Sequence, residues 1–337
     1  MAQPNDPSTS VASGRASGSS AASRATVRTG DASSSGASVL EDPGAGILVP
    51  AQTASRSSHE RIRETRYRRH ATNLRLWSRN RDWWQADLPV GTRLRYYGDM
   101  AASYVRVARG QRRGIRYLDR TFMFDDVAAP LNLQAYPRAV GRDVLGNLRP
   151  GSTPRSVLDV GGNLGQFAVT LRHFAPHAQI DVFEPNSAVV PLLEQNTAGL
   201  EGVRVWPYAL SPRPVDELYV EPGRSASGSL LADQVDAIAA PRSVAVRSVS
   251  DPSSVTGHQE YDLVRIDVAG YELEVLKCLG GMTVHYLYLE MSGLRGVYPH
   301  SELLMLVRRQ FGDFRIVFQG PCDRRSVNHP VLLEFAG

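Results

Sequence analysis

The sequence predicts an α/β protein built on a Rossmann-like, mostly parallel sheet with an antiparallel edge at the C-terminus, preceded by a disordered N-terminal tail. Two observations carry this. Ser156-Val-Leu-Asp-Val-Gly-Gly-Asn-Leu-Gly-Gln-Phe167 followed by Gln179-Ile-Asp-Val-Phe-Glu-Pro-Asn186 reads as strand, glycine turn, helix and second strand, a nucleotide-binding βαβ unit. After Gly151, apolar runs of strand length alternate regularly with segments of helical periodicity, the pattern of parallel strands joined by right-handed crossovers.

In chain order, strands are expected over 156–160, 179–184, 203–208, 215–220, 244–249, 261–267, 285–290, 314–319 and 331–335, and helices over 163–174, 187–196, 271–279 and 301–310. The last two strands are joined by a helix-free segment, 320–330, hence the antiparallel pair at the end of the sheet. Residues 1–58 are dominated by Ser, Ala, Gly, Pro and Thr and cannot bury enough apolar surface to offset ordering entropy. Residues 59–150 open on arginines interleaved with aromatics, from Arg61 through Tyr67 and Trp77 to Trp84, and continue into a region rich in Tyr and Phe that prefaces or caps the 151–337 domain.

The glycine register says which ligand the βαβ unit holds. A dinucleotide fingerprint needs glycines at the first, third and sixth positions; counted from Gly161, the third is Asn163 and the sixth Gln166. A carboxylate, Asp159, stands ahead of the glycines instead, where it would repel a pyrophosphate but pair with an ammonium group. Glu184, 25 residues later, lies where ribose hydroxyls would sit. An ammonium and a ribose together describe S-adenosylmethionine. Gly161, Gly162 and Gly165 would bring the backbone close to it, Asn163 and Gln166 would line it, and Ala209 and Leu210 would touch the adenine face. At the C-terminal ends of later strands, Asp267 is the first candidate base and Glu290 the second, with a structural cap for the following helix as the competing reading of Asp267.

Five segments together resemble the FkbM family of class I S-adenosylmethionine-dependent methyltransferases: Asp159-Val-Gly-Gly-Asn-Leu-Gly165, Phe183-Glu-Pro-Asn186, Ala209-Leu-Ser211, Gly228-Ser-Leu230 and Arg265-Ile-Asp-Val-Ala-Gly-Tyr-Glu272. The resemblance covers about 157–318. It implies a class I methyltransferase sheet, a cofactor site that includes Pro185 and Asn186, and O-methyl transfer to a hydroxyl of a sugar, glycan or secondary metabolite. The chain departs from the family pattern twice: Arg265 stands for the usual Lys, and Ala269 for the usual Glu.

The remaining features set boundaries. The 337 residues are 42% hydrophobic with a net charge of +4, and Lys277 is the only lysine. No apolar run approaches the ~18 residues of a membrane span, and no signal-like apolar core follows the N-terminus, so the expected compartment is the cytoplasm. Cys278 and Cys322 make no disulfide framework, Cys278 reading as a buried thiol, and no His or Cys has a neighbour at metal-ligand spacing, so no metal is expected; a hard cation shared by Asp267 and Glu290 is the alternative, and two carboxylates are weak evidence for it. His285 opens a strand at the end opposite the expected site. Nucleic acid is not the expected partner, because no binding motif accompanies the Arg-rich stretch, which reads first as a solvated helix. RNA methylation through that stretch, and a non-catalytic cofactor- or partner-binding module, are the alternatives. No motif sets an oligomeric state.

Overall fold

The computed structural model describes residues 90–91, 94–95, 98–99, 102, 113–124, 133, 135–221, 224–231, 242–292, 299–320 and 328–336. The expected tail, the Arg-rich stretch 61–84 and Cys322 lie outside the described residues.

The chain opens with an antiparallel hairpin of β1 (Arg113–Tyr117) and β2 (Arg120–Phe124), then a helical stretch over 136–147 whose middle, Ala139–Val144, is wound as a π-helix. The central alternation follows: β3 (Ser156–Val160), α1 (Gln166–Phe174), β4 (Gln179–Phe183), α2 (Val190–Thr197) and β5 (Val203–Trp206). Short strands come next, β6 (Ala209–Leu210), β7 (Glu217–Glu221), β8 (Arg224–Ser229), β9 (Arg242–Ala245) and β10 (Ser248–Val249). The chain ends with β11 (Glu260–Ile266), α3 (Glu272–Cys278), β12 (Thr283–Ser292), α4 (His300–Phe311), β13 (Phe314–Gln319) and β14 (Asn328–Phe335).

Seven strands form the main sheet in the order β13-β14-β12-β11-β3-β4-β5, and β14 alone runs antiparallel to its neighbours. The antiparallel element expected at the C-terminal end is therefore present. The last strand enters one place in from the edge, between β12 and β13, antiparallel to both.

Both faces of the sheet are covered, as a mostly parallel sheet requires. On one face Leu158, Val160, Val264, Ile266, Leu287 and Leu289 pack against Leu276 and Leu279 of the α3 segment and Leu303 and Val307 of α4. On the other, Val157, Val182, Leu263, Tyr286 and Tyr288 pack against Phe167 and Leu171 of α1 and Val140 and Val144 of the π-helical turn. Strand side chains alternate between faces, so Asp159, Arg265 and Glu290 share the second face with Val157, Leu263 and Tyr288. The hairpin docks on the outer helices: Tyr117 and Thr170 share a 2.6 Å hydrogen bond, and the Asn196 side chain accepts from the Met123 N–H at 2.6 Å and donates to its carbonyl at 2.9 Å.

Several expected boundaries move for local reasons. The first helix begins at Gln166 rather than Asn163, because Asn163 and Gly165 both have left-handed φ, 50° and 87°. The strand expected over 203–208 stops at Trp206, ahead of Pro207, which has no N–H to donate to a ladder. It resumes as β6, paired with β10 in a separate two-stranded sheet. A strand outside those expected, β8, joins β7 and β9 in a third, antiparallel sheet. Cys278 is buried as expected, and burial pushes its thiol up to about 12.

Candidate functional site

The carboxyl ends of β3, β4, β11 and β12 converge on one edge of the sheet, where ligands of open α/β sheets bind. The loop after β3 is tied down there: the N–H groups of Gly161 and Gly162 both donate to the Phe183 carbonyl, at 2.9 and 3.0 Å. Its glycines answer to neighbouring strands. A Cβ on Gly161 would lie 2.0 Å from the Asp267 carbonyl oxygen, and one on Gly162 would lie 2.0 Å from Val182 Cγ1. A Cβ on Gly165, at the N-cap of α1, would lie 2.9 Å from Leu193 Cδ1.

Beneath this loop lies a buried charge row set by strand register. Asp159 on β3, Arg265 on β11 and Tyr288 on β12 are ladder partners. One step further along each strand's period lie Gly161, Asp267 and Glu290. Arg265, 2% exposed, donates through Nη1 to Asp159 Oδ1 at 2.7 Å and through Nη2 to Asp267 Oδ2, and its guanidinium carbon sits 4.9 Å from the Phe167 ring centroid. Burial works against the Arg265 charge, but Asp159 and Asp267 hold its pKa well above the ordinary value. Asp159 is fully buried, and burial raises its carboxyl despite the guanidinium beside it. Its Oδ2 and Arg265 Nε are both buried without a hydrogen-bond partner among the described residues, as is Gln166 Oε1 at the start of α1.

Two further acids sit at the rim. Glu184, just past β4, accepts backbone N–H bonds from Asn163 and Asn186, each at 2.8 Å, yet burial pushes its carboxyl up to about 7. Glu290, half-buried, accepts from the Tyr288 hydroxyl at 3.1 Å. Burial first, then the negative charge of Asp267, push it up to about 7. Tyr136, from the helical stretch ahead of the main domain, closes this face: its ring centroid lies 5.9 Å from the Arg265 guanidinium carbon. Burial raises its hydroxyl, opposed by Arg265.

The structure thus gathers Asp159, Gly161, Gly162, Asn163, Gly165, Gln166, Glu184, Asp267 and Glu290 along one edge. Pro185 and Asn186 follow Glu184, with Asn186 buried and its Oδ1 accepting from the Ala188 N–H at 3.1 Å. Ala209 and Leu210 are buried in β6, and Leu210 packs with Phe183 and Tyr271 in the core. Asp267 caps no helix: α3 starts five residues on, with Tyr271 at the N-cap, and Asp267 is spent on Arg265. Glu272 is buried and accepts from the Gly270 N–H at 3.0 Å, fixing the turn before α3. His285 bonds Glu260 at 2.9 Å at the far end of the sheet. A cleft at that far edge, lined by Arg149, Ser152, Asp262, His285 and Tyr286, contains none of the site's acids.

Ala269 occupies the turn between β11 and α3 with φ +42°, a left-handed conformation that strains any residue with a Cβ, and it is exposed. Its carbonyl accepts from Ser229 Oγ at 3.0 Å, which ties β8 to this turn. We expect Ala269→Gly to stabilise the fold by about 0.5–1 kcal/mol; urea unfolding that shows no gain would refute the strain.

What reading of the sequence missed is Arg265 as the hub of the acids, and Tyr136 as their cover. Arg265 lies two residues before Asp267, so period-2 alternation already places both on one face. Its pairing with Asp159 depends on strand register between residues 106 apart in sequence.

The main-sheet order, renumbered from β3, is 6-7-5-4-1-2-3 with only the last strand reversed. That is the class I methyltransferase sheet. The chain matches no protein-family model and no curated protein. Among solved structures it is similar to a ribosomal protein L11 methylase from Lactobacillus delbrueckii subsp. bulgaricus, at 12% identity and TM-score 0.36 over 58% of this chain and 77% of that one. It is similar to a precorrin-6y C5,15-methyltransferase from Geobacter metallireducens at 10% identity and TM-score 0.35, over 57% and 86% of the two chains. An O-methyltransferase family 2 protein from Planctomyces limnophilus aligns at 12% identity and TM-score 0.37, over 62% and 60%. Likeness of this size carries no argument about activity.

Proposed function

We propose that the chain is an S-adenosylmethionine-dependent methyltransferase of FkbM type that methylates a hydroxyl of a sugar, glycan or secondary metabolite, with residues 151–337 as its catalytic domain and 59–150 as a cap on it. The observation that carries this reading is the set of acids at the carboxyl ends of the strands, with one carboxylate oxygen, Asp159 Oδ2, buried and unpartnered. An unmet buried acceptor costs about 1–3 kcal/mol, and an ammonium group would meet it. Glu184 is aimed by two backbone N–H groups and keeps lone pairs for ribose hydroxyls. Asn163, Gln166, Pro185, Asn186, Ala209 and Leu210 would line the same cofactor site around the glycine loop.

When bound, the cofactor supplies a methyl group already activated on a sulfonium. The chain must then hold the acceptor in line and take its hydroxyl proton. Of the two candidate bases, the contacts favour Glu290 over Asp267. Asp267 is ion-paired to Arg265 through Oδ2, so that oxygen is already occupied. Glu290 has no described cation in contact, and burial with Asp267 pushes it up to about 7, suited to a proton acceptor near neutral pH. Asp159, Asp267 and Glu290 against the single cation Arg265 leave the site acidic among its described residues, which favours a neutral acceptor over a phosphate-rich one.

Calorimetry of the whole chain should show S-adenosylmethionine binding, no NAD binding, and a loss of about 10-fold or more in affinity on Glu184→Ala, for two ribose hydrogen bonds to a charged group. Turnover on a neutral hydroxyl acceptor should change little with ionic strength, where an RNA acceptor would show a steep loss. A folded chain that binds no S-adenosylmethionine would sink the reading.

A further inference from the structure

We infer that Asp159 and Arg265 act together as the reader of the cofactor's α-amino-acid end, Asp159 taking the ammonium through Oδ2 and Arg265 taking the carboxylate through Nε. This rests on the cofactor reading above and adds to it the group that recognises the carboxylate.

The two unpartnered atoms belong to one ion pair, bonded through its other ends by Arg265 Nη1 and Asp159 Oδ1 at 2.7 Å. One is an acceptor bearing negative charge and the other a donor bearing positive charge, and neither has a partner among the described residues. A ligand with only an ammonium would leave the Nε–H orphaned, and one with only a carboxylate would leave Oδ2 orphaned. A zwitterion meets both and adds no net charge to the buried pair. Of the other four Arg265 N–H donors, the two on Nη1 meet Asp159 and the Gly161 carbonyl, the latter at 3.4 Å, and one on Nη2 meets Asp267. The guanidinium carbon lies over the Phe167 ring, 4.9 Å from its centroid, and the bonds to Asp159 and Asp267 anchor its other end. A lysine in this place would supply the charge but not a second directed donor beside it.

The test is a calorimetric series on the full chain with three probes: S-adenosylmethionine, its decarboxylated form, and methylthioadenosine, which lacks both charged groups. The site is acidic, so without a carboxylate reader the decarboxylated form, with its extra positive charge, should bind as well as S-adenosylmethionine or better. We expect it to bind about 10- to 100-fold more weakly, the value of one charge-assisted hydrogen bond. In Arg265→Lys, with folding checked by melting, that gap should shrink to a few-fold, and Asp159→Asn should weaken S-adenosylmethionine while leaving methylthioadenosine unchanged. Equal or tighter binding of the decarboxylated form by the unaltered chain overturns the inference, as does an undiminished gap in a folded Arg265→Lys. Should the variants not fold, the ligand series on the unaltered chain decides alone. Binding of all three probes without preference overturns the zwitterion reader and leaves the adenosyl site standing; binding of none overturns both.

Discussion

Glu290→Gln is expected to lower turnover by about 10²- to 10⁴-fold, the usual contribution of a positioned base, while leaving S-adenosylmethionine affinity within about 3-fold. The variant keeps the Tyr288 hydrogen bond and the side-chain volume, so what is lost is the ability to take a proton. With Glu290 as the proposed base, the active form of the unaltered chain is the carboxylate. Its pKa is raised to about 7, so kcat should fall roughly tenfold per pH unit below that value and level off above it. The variant should lose this dependence. A profile that keeps its limb near pH 7 in Glu290→Gln would move the base elsewhere, with Asp267 next in line.

The same carboxyl gives a second readout that needs no acceptor. A carboxyl whose folded pKa lies above its unfolded value binds more protons in the folded state between the two. Stability therefore falls as pH rises through that window, here from 4.5 to about 7. The cost above pH 7 is bounded at about 3 kcal/mol for a shift of this size. Glu290→Gln should thus be more stable than the unaltered chain at pH 8 and indistinguishable from it near pH 4. A melting difference that is flat with pH would mean that the acid is not held in its uncharged form. Glu184, pushed to the same value by burial, acts in the same direction and sets the background slope that both chains share.

The sheet was legible because its signals are local. Val157, Leu158 and Val160, or Leu263, Val264 and Ile266, are buried on both faces and read as apolar runs without any knowledge of their neighbours. The three-stranded sheet of β7, β8 and β9 was not legible as a separate layer, since short strands of mixed polarity carry no mark of which sheet they join. The start of α1 was misplaced because a left-handed Asn163 leaves no trace in composition. At the site, Asp159, Glu184, Asp267 and Glu290 were found by their position at strand ends. What those acids do to one another was hidden, because it depends on a cation that sequence comparison presented as a stand-in for lysine. Once Arg265 is placed between Asp159 and Asp267, Asp267 is occupied by the ion pair, and burial of Glu290 makes it the proposed base.

Arg265→Met is expected to destabilise the fold by about 3–5 kcal/mol, the cost of removing one partner from a buried ion pair, or roughly 10 °C in Tm for a domain of this size. The methionine fills most of the volume and keeps contact with Phe167, so packing loss is small. The penalty comes from Asp159, fully buried and left without its cation. Asp267, about a third exposed, can turn to water and adds less. The argument is checked by the double variant Arg265→Met with Asp159→Asn, which removes both charges. If the uncompensated carboxylate is the cause, the second substitution should recover more than half of the loss, although alone, in the presence of Arg265, it destabilises. Additive losses in the two variants would instead assign the damage to packing, and the charge row would then be a consequence of the fold rather than one of the things that hold it.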